Sequence, residues 1–62
     1  MKTFLIESDI EGWIGVEAET KEEALRIAKE NVDGDEYLVL DEIDNDDVQY
    51  DCILDAWGVD VF

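Results

Sequence analysis

Thr20-Lys21-Glu22-Glu23-Ala24-Leu25-Arg26-Ile27-Ala28-Lys29-Glu30-Asn31-Val32-Asp33 is the stretch that decides the fold. Thr20-Lys21-Glu22-Glu23 has the form of a capping box. The threonine hydroxyl can accept from the Glu23 amide while the Glu23 carboxylate reaches back to the first free N–H. Ala24, Leu25, Ile27, Ala28 and Val32 then fall on one side at helical spacing, and Glu22, Glu23, Arg26, Lys29 and Glu30 on the other. Gly34 follows at once, where a left-handed residue would end the helix. One amphipathic helix is therefore expected over Thr20–Asp33, and the rest of the chain must supply the surface that buries its apolar stripe.

Working outward, Lys2–Ser8 reads as a strand with Phe4 and Ile6 on one face and Thr3, Leu5 and Glu7 on the other. Asp9–Gly12 is a turn. Trp13–Glu19 alternates Ile14, Val16 and Ala18 with Trp13, Gly15 and Glu17, so the two strands form an antiparallel hairpin. After the helix, Glu36–Asp41 is a third strand, and Glu42–Asp47 an acidic loop with a lone Ile43. In the next segment Val48, Tyr50, Cys52 and Leu54 alternate with Gln49, Asp51, Ile53 and Asp55. That alternation favours a fourth strand over a helix at Asp46–Leu54. Trp57–Phe62 then reads as a short edge strand or a docked tail. The expected fold is a single α+β domain over residues 1–62, in the order strand-strand-helix-strand-strand. It is an antiparallel sheet of about four strands with one helix on one face. The uncovered face would carry Leu5, Trp13 and Ile53 among Glu7, Glu17, Asp51 and Asp55. Either the C-terminal tail, a twin subunit or a binding partner would cover it.

Sixty-two residues give one small core. The single cysteine permits no internal disulfide, and a lone thiol without an export signal fits a reducing cytosol. Phe4-Leu5-Ile6 is far too short to span a membrane. An apolar fraction of 47% argues against disorder in spite of the charge.

That charge is extreme: nineteen acids against four bases, a formal net −15. It is also lopsided, since residues 1–29 hold seven acids and every base, while residues 30–62 hold twelve acids and no base. Direct binding to nucleic acid or an anionic membrane is excluded, because both need cations. The fitting partners are basic.

Catalysis has little to work with. There is no histidine, and one serine and one cysteine cannot assemble a nucleophile–base pair. Cys52, on the presumed core face of the fourth strand, reads as a buried inert thiol. Calcium fares no better: with Gly34 at the sixth position of an EF-hand loop, Lys29 and Leu40 fall where the first and last carboxylates belong. Asp44-Asn45-Asp46-Asp47 lacks the glycine and the closing glutamate. No cofactor or dedicated metal site is expected.

What remains is carboxylate spacing. Glu7/Asp9/Glu11, Glu17/Glu19, Asp33/Asp35 and Asp44/Asp46 place acids two apart, about 6.5–7 Å on an extended chain. Phosphates advance about 3.4 Å per nucleotide along a duplex axis and lie farther apart along the backbone, so the two spacings are comparable. Ordinary solvated surfaces mix both signs, and this chain stops doing so after Lys29.

In size, charge and want of catalytic residues the chain resembles the small acidic inhibitors of phages and mobile elements that act as DNA mimics, the anti-CRISPR and anti-restriction proteins. The resemblance spans the whole chain and rests on no diagnostic motif. Val16-Glu17-Ala18-Glu19-Thr20-Lys21-Glu22-Glu23-Ala24, after a hairpin and before a strand, is similar to the DpnD/PcfM-like small proteins of mobile elements, although the phrase also occurs in unrelated folds. The first resemblance implies a noncatalytic inhibitor in the cytoplasm of an infected or element-carrying host cell. It would occupy the basic site of a nucleic-acid-binding protein: a CRISPR effector subunit first, a restriction or repair enzyme behind it. Asp41, Glu42, Asp44, Asp46, Asp47, Asp51 and Asp55 are the expected contact carboxylates, with Trp57 as an apolar anchor beside Ile53 and Trp13. The alternative is a small acidic protein–protein interaction module without mimicry, monomeric or paired as a homodimer through the uncovered face.

Overall fold

Lys2–Ser8 (β1) and Gly12–Ala18 (β2) form the expected antiparallel hairpin in the computed structural model, which describes residues 1–62. Phe4 pairs with Val16 and Ile6 with Ile14, so the four apolar side chains share one face. The turn is tied by Ser8, whose Oγ accepts the Glu11 amide at 2.9 Å. Gly12 closes it at φ 76°, a conformation that a side chain would strain.

Lys21–Asn31 (α1) starts as the capping pattern predicts: Thr20 is the N-cap and its Oγ1 accepts the Glu23 amide at 3.2 Å. Ala24 and Ala28 are fully buried on the Phe4/Ile6/Ile14/Val16 face, with Val32 beside them and Leu25 and Ile27 at the margin. The small alanines let the helix approach the sheet, and each large side chain buried beneath it contributes about 1.5–3 kcal/mol. The end of α1 departs from expectation. Val32 caps it in an extended conformation, and Gly34 is not left-handed. Tyr37 takes over the capping: its hydroxyl donates to the Val32 carbonyl and accepts the Gly34 amide at 2.8 Å. Gly34 is needed for a different reason, since a Cβ there would run into Asp9 Oδ1.

The third strand, Tyr37–Asp44 (β3), is longer than the expected Glu36–Asp41. It pairs antiparallel with β1 along its whole length, giving the order β2-β1-β3. Ile43, expected in a loop, sits opposite Thr3, and Glu42 and Asp44 lie opposite Phe4 and Lys2. The register shifts between Leu5 and Ile6, leaving Leu40 as the extra residue of a β-bulge.

The main correction concerns the expected fourth strand. Val48–Asp55 does not join the sheet; Tyr50–Trp57 is a second helix (α2). The alternating set fails the burial test, because Val48 is 96% exposed and Cys52 is exposed rather than core. Tyr50, Ile53, Leu54 and Trp57, spaced i, i+3, i+4 and i+7, are the half-buried residues instead. Gly58 supplies the left-handed cap at φ 60°, its amide bonding the Leu54 carbonyl at 3.0 Å.

Since β3 is one edge of the sheet and the tail ends on the other, α2 must cross the sheet, and it does so on the face opposite α1. Thr3, on that face, donates to Asn45 Oδ1 at 2.8 Å and lies 3.2 Å from the Tyr50 hydroxyl. Thr3 and Leu5 are accordingly buried on the side expected to be bare. The docked-tail reading of the C-terminus holds. Asp60–Phe62 runs parallel to the outer edge of β2, Gly15 N–H donating to Asp60 (2.7 Å), Phe62 N–H to Gly15 (2.8 Å) and Glu17 N–H to Phe62 (2.9 Å). The architecture is α+β in the order ββαβα, a three-stranded antiparallel sheet between two helices. Neither helix is long and apolar enough to cross a membrane.

Candidate functional site

The carboxylates singled out from sequence lie on three consecutive structures: the second half of β3, the turn after it, and α2. Asp41 stands on the α2 side of the sheet opposite Leu5; Glu42 and Asp44 stand on the α1 side opposite Phe4 and Lys2. Strand pleating therefore splits the strand's acids between two faces. Asp46 and Asp47 occupy the turn. Asp51 and Asp55, four apart on α2, share one side of that helix. All seven are exposed, and Trp57 at the end of α2 is half-buried.

Several of these acids also hold the backbone. Asp41 Oδ1 accepts the Glu42 amide at 2.8 Å, Asp44 Oδ1 the Asp46 amide at 3.0 Å, and Asp47 Oδ1 the Gln49 amide at 2.9 Å. These short loops bend the chain from strand to helix. They also replace the extended spacing imagined for Asp44 and Asp46: within β3, Glu42 and Asp44 are the pair that keeps it. Asp9 is claimed by the fold, too. Its Oδ1 receives the amides of Asp35 (3.0 Å) and Glu36 (3.4 Å), fastening the hairpin turn to the α1–β3 connection. No sequence signal marks that role, because the partners are 26 and 27 residues away.

Compensation by bases is sparse. The ion pairs are Lys2 Nζ with Glu42 at 3.9 Å and the N-terminal ammonium with Glu19 at 4.0 Å, both at the surface. Lys21, Arg26 and Lys29 reach no carboxylate. Arg26 and Lys29 instead border an open cleft of about 1000 Å³ between α1 and the start of β3, shared with Leu25, Tyr37, Asp35 and Glu36. The cleft brings together no nucleophile and base. No three acid or thiol groups in the fold are gathered to hold a metal ion.

On the α2 side of the sheet the helix covers the Thr3/Leu5 end, and the other end stays open. Glu7 there lies between Trp13 on β2 and Leu38 on β3, and accepts the Trp13 indole N–H at 3.1 Å. Trp13, Leu38 and Leu40 are 52%, 58% and 41% exposed. Sequence alone placed Leu5 in this outward group; the structure buries it and keeps Trp13.

No protein-family model, no curated protein and no solved structure matches this chain.

Proposed function

We propose that the protein is a noncatalytic inhibitor that occupies the basic nucleic-acid-binding site of a host defence protein, a CRISPR effector subunit first among them. One observation carries the proposal. From Glu30 onward there are twelve carboxylates and no base, and those of β3, the turn and α2 are solvent-exposed. Lysines and arginines that normally meet phosphate would meet these carboxylates instead, with long-range attraction speeding encounter. Trp57 and the apolar residues beside the acids would slow release.

The test is capture of partners by the tagged protein from lysates carrying CRISPR and restriction systems, with and without excess duplex DNA. A nucleic-acid-binding protein displaced by DNA is the expected result. A partner indifferent to DNA, or the protein itself, retires the mimic. The exposed Trp13/Leu38/Leu40 row supports a second reading, an interaction module that pairs with its own copy. It predicts an elution volume that shifts on dilution and responds little to salt.

A further inference from the structure

The two edges of the sheet are treated differently. The outer edge of β2 is closed by the chain's own tail through the three bonds at Gly15 and Glu17. The outer edge of β3 has no neighbouring strand. Which of its groups are free follows from the ladder. Gly15 spends its amide and carbonyl on the tail, so Leu5, its partner, turns its own toward β3. Thr3 and Glu7 do the same, and their β3 partners Ile43, Asp41 and Leu38 face inward. Tyr37, Val39, Glu42 and Asp44 therefore point their peptide groups out. Two of those groups are already closed, the Glu42 amide by the Asp41 side chain and the Asp44 carbonyl by the Asp47 amide. The Tyr37 and Val39 groups are not.

We propose that the Tyr37–Asp44 edge is a docking strand for an extended, cationic–apolar segment of a partner protein, which adds to the sheet antiparallel to β3. Open edges are templates for strand addition, and here the charge selects the occupant. Asp41, Glu42, Asp44, Asp46 and Asp47 crowd the Asp44 end with Lys2 as the one nearby base, whereas Leu38 and Leu40 lie exposed toward the other. Arg26 and Lys29 flank the cleft at the Tyr37 end and disfavour further cations there. A second copy is a poor occupant, since edge-to-edge pairing would set acids against acids in a chain of net −15. The segment that fits runs with a basic N-terminal half beside Asp41–Asp47 and an apolar C-terminal half on Leu38–Leu40. The proposal rests on the functional reading above in one respect, that the partner is cationic.

The probe is a synthetic peptide of eight residues, the length of β3, with lysines in its N-terminal half, valine and isoleucine in its C-terminal half, and an amidated end. Its control carries N-methyl groups on the pairing edge, which block backbone bonds and leave charge and composition intact. Strand addition predicts that the first peptide slows hydrogen exchange at the Tyr37 and Val39 amides. It also predicts that the methylated one binds at least about tenfold more weakly, two lost hydrogen bonds sufficing for that factor. Val39→Pro, which removes an outward N–H and no bond to β1, should weaken the first peptide to the same degree. The peptide comparison is made on the unaltered protein, so it decides the matter even where that variant folds poorly. Equal binding of both peptides, weakened by salt, overturns strand addition and leaves the anionic inhibitor standing. Failure of DNA to displace a captured partner removes the inhibitor without touching the edge.

Discussion

Residues 1–32 and residues 33–62 divide the labour of this molecule almost completely. Every buried residue, from Thr3 to Val32, lies in the first part, and so does every base. The second part contributes half-buried side chains to a core built by the first, and carries eleven of the nineteen acids. Burial holds the hairpin and α1 together; the rest of the chain is wrapped over them by a few specific bonds, at Tyr37, Thr3 and the Gly15 edge. Charge density can rise in such a wrapping because little apolar packing there is at stake, although self-repulsion still acts on the whole chain.

The strongest way to break the comparison is a matched pair of truncations. Ile6→Ala, at a fully buried site, should cost about 2–5 kcal/mol. That is much of the ~3–9 kcal/mol expected of a chain this size. Ile53→Ala on half-buried α2 should cost about 1 kcal/mol, roughly its share of buried area. Urea denaturation gives both numbers, and equal losses would mean that α2 belongs to the core after all.

Next in size is Gly15→Val. A Cβ there would stand 3.1 Å from Val61 Cγ2 and 3.4 Å from the Asp60 carbonyl, so a branched side chain should lever the tail off β2 at about 1–3 kcal/mol. Hydrogen exchange should quicken at Phe62 while the α1 amides keep their protection. Loss of protection in both would show that wrapping and core unfold as one.

Salt sharpens the contrast more gently. Raising ionic strength screens like-charge repulsion, and the melting temperature should climb by about 5 °C, the equivalent of roughly 1 kcal/mol in a domain this small. A fall with salt would reverse the electrostatic picture. The smallest effect on folding is expected for the triple change Asp44→Asn, Asp46→Asn and Asp47→Asn. Lost charge–amide bonds and relieved repulsion oppose each other, and stability should stay within about 0.5 kcal/mol. Binding to a basic partner should weaken at the same time, and inhibition unchanged by the triple variant would exclude that turn as the contact.

The candidate site was only partly legible for the same reason that the fold was. That Asp41, Glu42, Asp44, Asp46, Asp47, Asp51 and Asp55 face solvent follows from composition, because carboxylates without bases cannot be buried. How they are distributed does not. Pleating sends Asp41 and Glu42 to opposite faces of β3, and helix formation sets Asp51 and Asp55 one turn apart rather than along an extended edge. The open Tyr37–Val39 edge was not legible at all, since it exists only because β3 ends the sheet while the tail occupies the other side.

By itself the sequence determined the hairpin, the start of α1 and the charge asymmetry. Each of these rests on contacts within a few residues or on simple counting: the Thr20–Glu23 cap, the alternation of Phe4, Ile6, Ile14 and Val16, the missing bases after Lys29. Tertiary structure decided Val48–Trp57. That segment carries a strand pattern and, through Tyr50, Ile53, Leu54 and Trp57, a helical one, and local propensity does not separate them. The choice was made by Thr3 and Leu5, which needed cover on the far face. It was made as well by the tail, whose route from the β3 edge to Gly15 a short helix spans and a further strand beside β3 would not.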